Sequence, residues 1–242
     1  MLQSIQALLI TITITSFSFA DVFMTELTDA QDASTAGKYV ELYNNGSDNV
    51  DLSSGWAVTR WTNAGTDAQT AKPLTGIIST NGFYIICNNS SKVEATYPNI
   101  TCDQDIGTGG FADSNGDDNM ALLLDGEVVD IFGLPGEDGS GTSHEFEDGR
   151  AERAADCTTA QSTYTDACWN TWCDSNNACD VNEPQYHLEN GVATSDFDPG
   201  AWIGQSDSGP ADPCADVNCD DGDPCTLDSC SEGTCANTLA DD

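Results

Sequence analysis

The sequence predicts an all-β chain folded as a sandwich of antiparallel sheets, and three observations carry that expectation. Asn119 to Leu124 and Glu127 to Phe132 are apolar runs separated only by Asp125-Gly126, a pair strongly favoured in two-residue hairpin turns. Lys38-Tyr39-Val40-Glu41-Leu42-Tyr43-Asn44 alternates large apolar with polar residues, which predicts a strand with one face on a core and the other in solvent. Short strand-like runs recur with turn residues between them and almost no helix signal, a spacing that suits a sandwich or barrel and excludes alternating β and α units.

Taken in order, residues 1–20 carry no charged side chain, run apolar through Ala7-Leu8-Leu9-Ile10 and finish Ser18-Phe19-Ala20, the pattern of a cleaved secretory signal peptide. Strands are predicted near 22–28, 38–43, 56–61, 74–79, 83–87, 119–124 and 127–132, with Asn81-Gly82 as a tight turn ahead of Phe83-Tyr84-Ile85-Ile86. Beyond Gly133 the periodicity fades and Gly, Asp, Ser and Asn accumulate around Cys157, Cys168, Cys173 and Cys179, so 133–197 reads as a disulfide-pinned insertion. Order returns at Asp198-Pro199-Gly200-Ala201-Trp202-Ile203, where a turn leads into an aromatic residue that caps the core and closes a domain spanning 21–204. Residues 205–213 form a linker, and 214–242 a unit too small to bury a core without covalent staples, holding Cys214, Cys219, Cys225, Cys230 and Cys235.

Eleven cysteines behind a secretory signal read as a disulfide framework in an oxidising compartment. Cys87 and Cys102 are placed to close the loop that holds three of the four N-glycosylation sequons, at Asn88, Asn89 and Asn99; the fourth is Asn45. The odd cysteine count of the C-terminal unit leaves open a free thiol, a bridge to the main domain, or a disulfide-linked dimer. With 6 basic against 41 acidic residues, the formal charge of −35 argues against nucleic acid and anionic lipid, and for solubility, a calcium-loaded surface or a basic extracellular partner. After signal cleavage no segment approaches the length of a membrane span.

Chemistry has few candidates. His144 and His187 sit outside any Gly-x-Ser-x-Gly or His-Glu-x-x-His pattern, and His144 reads as a solvent-facing or edge-strand imidazole. Carboxylates are too abundant for any pair to stand out as acid and base. Asp113, Asn115, Asp117 and Asp118 set oxygen side chains around Gly116 in a loop suited to a hard cation such as calcium, although Gly sits at the fourth place and Leu124 where an EF-hand needs glutamate. The same residues also serve to turn the chain. Cys168, Cys173, Cys179 and His187 lack the close cysteine pairs of zinc sites, so disulfides are favoured there. Trp56 and Trp61 are five apart and point to opposite faces of one strand, one into the core and the other free to stack on a sugar or to pack under the insertion.

Several ordered blocks resemble the lamin tail domain family. They are Val22-Phe23-Met24-Thr25-Glu26, Tyr39 to Asn44, Val50-Asp51-Leu52-Ser53-Ser54-Gly55-Trp56, Asp118 to Leu122, Val128 to Gly133, and a late Arg153 with Pro199-Gly200-Ala201-Trp202. The resemblance implies an all-β, immunoglobulin-like β-sandwich over 21–204, followed by a small disulfide-rich C-terminal unit. Coiled coil, nuclear-import cluster and prenylation box are missing, so the chain resembles the secreted branch. Cys225-Thr226-Leu227-Asp228-Ser229-Cys230 is similar to a short cysteine repeat of extracellular proteins. The resulting expectation is a non-enzymatic secreted or cell-surface module that presents loops to an extracellular protein or glycan, needing no cofactor unless calcium. The alternatives are an accessory module of a secreted nuclease- or phosphatase-type system and a calcium-dependent adhesion protein.

Overall fold

The computed structural model describes residues 22–30, 36–98, 100–173, 188–189, 192–193, 197–205, 226–231 and 234–239. The first seven strands are β1 (Val22–Thr28), β2 (Tyr39–Asn44), β3 (Val50–Asp51), β4 (Trp56–Trp61), β5 (Lys72–Pro73), β6 (Ile77–Ile78) and β7 (Phe83–Cys87). Helix α1 (Ser90–Thr96) follows, then β8 (Gln104–Asp105), β9 (Asn119–Leu124), β10 (Glu127–Phe132), β11 (Arg150–Arg153) and β12 (Trp169–Trp172). The short pair β13 (Leu188–Glu189) and β14 (Val192–Ala193) and the hairpin β15 (Thr226–Ser231) and β16 (Thr234–Leu239) complete the described elements. A six-stranded sheet, ordered β12-β11-β1-β2-β7-β8, faces a four-stranded sheet, ordered β10-β9-β4-β5. Pairing within them is antiparallel except between β7 and β8.

This is the β-sandwich that the alternation predicted, with the immunoglobulin-like architecture that the family resemblance implies. Val22, Met24, Leu27, Val40 and Leu42 point inward from one sheet to meet Trp56, Val58, Met120, Leu122 and Phe132 from the other, all nearly or fully buried. A bulge at Thr25 absorbs one residue, so the inward phase of β1 survives from Met24 to Leu27. The Asp125-Gly126 turn forms as expected, with φ of 52° and 87°, the left-handed pair that a tight hairpin demands.

The structure departs from the sequence reading in four places. Of the strand expected at 74–79 only β6 forms, paired with β3, while β5 precedes that range and pairs with β4. A helix appears at 90–96, started by Asn89, whose side chain accepts from the Lys92 N–H at 3.0 Å. The stretch read as an insertion supplies β11 and β12 to the six-stranded sheet, with Leu27 opposite Ala151 and Arg153 opposite Trp169. Finally, β1 and β2 are buried along their whole length. Their outer face meets no solvent because Tyr97 and Phe197 cover Tyr39, while Trp202 covers Phe23 and Tyr43.

Arg153 makes β11 indispensable to the interior. Its guanidinium lies between the sheets, pairs with Asp130 of β10 through Nη2 at 2.6 and 2.5 Å, and donates from Nε to the Met24 carbonyl at 2.6 Å. Phe23 and Trp169 flank it at 5.0 and 4.7 Å from their ring centroids.

Candidate functional site

Three long connections gather at one end of the sandwich. They are the β4–β5 loop, the β8–β9 loop and the β10–β11 loop, and main-chain bonds tie them together: Gly136 N–H to Gly65 O at 3.0 Å and Gly139 N–H to Asp117 O at 3.0 Å. Asn63 knits them further, its N–H donating to Asp118 Oδ1 at 3.0 Å and its amide to Asp117 Oδ2 at 2.8 Å. Asn119 donates to the Asn63 and Glu137 carbonyls at 3.2 and 2.9 Å. Gly116 permits the close crossing: its φ is +89°, and a β-carbon there would lie 2.2 Å from the Glu147 nitrogen. Asp67 and Glu137 stand exposed on this surface beside half-buried Asp138, so the end is preorganised and acidic.

The four residues expected to hold calcium lie in this loop end but face different partners. Asp113 accepts from the Asn88 amide at 2.7 Å and from Gly109 N–H at 2.6 Å. Asp118 pairs with Arg60 at 2.8 Å, and Asn115 hydrogen-bonds to Asp117. Burial, and next the neighbouring Asp118, push the Asp117 carboxyl above the ordinary range. Among the described residues no group of three or more His, Cys, Asp or Glu side chains is placed to hold a metal ion.

His144 is not at the surface. It is 1 % exposed, and its ring stands edge-on to Phe132 and Tyr164. Thr142 Oγ1 donates to the Gly139 carbonyl at 2.7 Å, so the 2.9 Å contact with His144 Nδ1 assigns the ring proton to Nδ1. Burial holds the imidazole below its usual pKa, and Nε2 has no hydrogen-bond partner among the described residues. Trp56 enters the core, whereas Trp61 is half-buried on the outer face of the four-stranded sheet beside Ala57, Leu123 and Ile131.

Cys87 is joined to Cys102 and Cys157 to Cys168, with Cα separations of 6.1 and 5.6 Å. Cys173 and Cys235 are disulfide-bonded as well, and Cys230 stands opposite Cys235 in the β15–β16 hairpin. Cys179, Cys214, Cys219, Cys225, His187, Asn99 and the signal segment lie outside the described residues. Of the other sequons, Asn45 is exposed and Asn89 caps α1. Asn88 is 2 % exposed and bonded to Lys38 N–H and Asp113.

Sequence reasoning missed a polar cluster on the outer face of the six-stranded sheet. Glu26 and Glu41 are directly opposite one another on β1 and β2, both fully buried. Arg150 Nη1 bonds Glu26 at 2.8 Å and Asp198 at 2.6 Å, its Nη2 reaches Glu152 at 3.4 Å, and Trp172 lies 4.6 Å from the guanidinium. Tyr39 donates its hydroxyl to Glu26, and Thr25 donates to Glu41 at 2.6 Å. Burial raises the Glu26 pKa to about 7 despite Arg150; burial and the charge of Glu26 raise Glu41 well above the carboxylate range. The sequence signal was a glutamate set inside each of two otherwise strand-like runs.

Two sheets closed over one interior, with loops collected at an end and His144 and Arg153 buried, define a β-sandwich module. The sequence pattern of the lamin tail domain matches residues 15–136, and the chain belongs to that family. No curated protein matches it significantly. No helix among the described residues is long and apolar enough to cross a membrane.

Proposed function

We propose that this chain is a secreted or cell-surface, non-enzymatic interaction module whose loop end recognises an extracellular protein or glycan. The observation that carries the reading is the preorganised end itself: three loops locked by cross-loop main-chain bonds, so that little ordering entropy is lost on docking. The disulfides Cys87–Cys102 and Cys157–Cys168 support an oxidising compartment. Exposed Asp67 and Glu137 favour a partner with a basic surface.

The test is capture from an extracellular-matrix extract by the immobilised full chain, repeated after Asp67→Asn and Glu137→Gln and again at high salt. The reading expects specific capture weakened by both changes. Capture indifferent to them removes the loop end from the proposal, and turnover of phosphodiester or glycoside substrates by the purified protein overturns the non-enzymatic reading.

A further inference from the structure

The segment 197–205 lies across the outer face of the six-stranded sheet, held by two backbone N–H donors to buried glutamates, an ion pair with Arg150 and the packing of Trp202. Gly200 N–H donates to Glu41 Oε2 at 2.5 Å, Ile203 N–H to Glu152 Oε1 at 3.4 Å, and Asp198 reaches Arg150. Trp202 donates its indole N–H to the Arg153 carbonyl at 2.7 Å and covers Phe23 and Tyr43. Among the described residues the groups facing this seam are Glu26 from β1, Tyr39 and Glu41 from β2, Arg150 and Glu152 from β11, Asp198 from the strap, and Tyr97 after α1. Arg150 is the only cation among them.

Three buried carboxylates, Glu26, Glu41 and Glu152, cannot all be charged beside one guanidinium without a large desolvation cost. Glu26 bonds Arg150 directly and tolerates ionisation better. Among the described residues Glu41 bonds Thr25 and Gly200 and no cation, so it is the natural holder of a shared proton.

We propose that strap 197–205 is a pH-operated cover, held down while the Glu26–Glu41 pair carries a proton and released when the pair is fully ionised, uncovering the aromatic surface of Phe23 and Tyr43. The direction follows from linkage. A carboxyl with a raised folded-state pKa stabilises the closed form most below its free value of 4.5, and that contribution is lost as pH rises through about 7. For Glu26 alone the opening equilibrium grows by roughly seventy-fold between about pH 5 and pH 8.

Hydrogen exchange on the full chain, corrected for intrinsic rates at each pH, tests this. Amides of Gly200, Ala201 and Ile203 are expected to lose more than about tenfold of their protection over that interval while β9 keeps its own, and Glu41→Gln is expected to abolish most of the difference. Should Glu41→Gln not fold, Glu26→Gln gives the same comparison. Unchanged protection in the parent chain, loss in step with β9, or the parent's pH dependence persisting in the folded variant would each overturn the proposal.

Discussion

Arg153 and Asp130 form an ion pair in the interior between the two sheets, with side chains 1 % and 0 % exposed. The Asp130 carboxylate also accepts from Met24 N–H at 2.9 Å and Gln161 N–H at 2.8 Å, so it ties β1, β10, β11 and the segment after β11 to one point. Removing one partner strands the other in a dry site. Arg153→Ala and Asp130→Ala are each expected to destabilise the fold by about 3–5 kcal/mol, read by denaturant melts. A loss below about 1 kcal/mol would show that the pair is solvated.

The Cys87–Cys102 bridge closes a 15-residue separation around α1. Replacing both cysteines with Ala is expected to cost about 3 kcal/mol in the chain-entropy account, and the parent chain, which loses its other bridges as well, should fall in Tm by at least as much under reducing conditions. Identical melts with and without thiol would contradict it.

Produced in a glycosylating host, the folded protein is expected to carry a glycan on Asn45, which is exposed, and none on Asn88, whose amide is bonded to Asp113 and whose oxygen accepts from Lys38 N–H. Peptide mapping with and without glycosidase decides between them. A glycan on Asn88 of folded material would mean that this loop corner opens.

At the loop end, Gly116→Ala is expected to destabilise by at least about 1 kcal/mol, because φ is +89° and the added carbon meets the Glu147 backbone. Millimolar calcium is expected to leave Tm unmoved, since Asp113, Asp117 and Asp118 are turned toward Asn88, Asn63 and Arg60. A rise of several degrees reversed by chelator would show that the loop rearranges around an ion.

The hairpin of β9 and β10 was readable because Asp125-Gly126 acts locally and the runs beside it are apolar on both faces. β11 was not. Arg-Ala-Glu-Arg has no strand-like hydrophobicity, and its burial depends on Asp130 and Glu26, which lie far away in sequence. His144 was misplaced for a related reason, since Gly and Ser neighbours suggest a surface while Phe132 and Tyr164 enclose the ring. The loop end was legible as acidic residues but not as a locked surface, because its ties are mostly main-chain bonds between loops.

The sandwich is one unit that reaches past the family match at residue 136 to include β11, β12 and the strap. The most direct measurement compares the folding of two oxidised fragments, 21–136 and 21–205, by circular dichroism and cooperative thermal melting. The longer fragment is expected to show β structure with a sharp transition, while the shorter one, with Asp130 buried opposite no arginine, is expected not to fold. A shorter fragment that melts as cooperatively as the longer would contradict it.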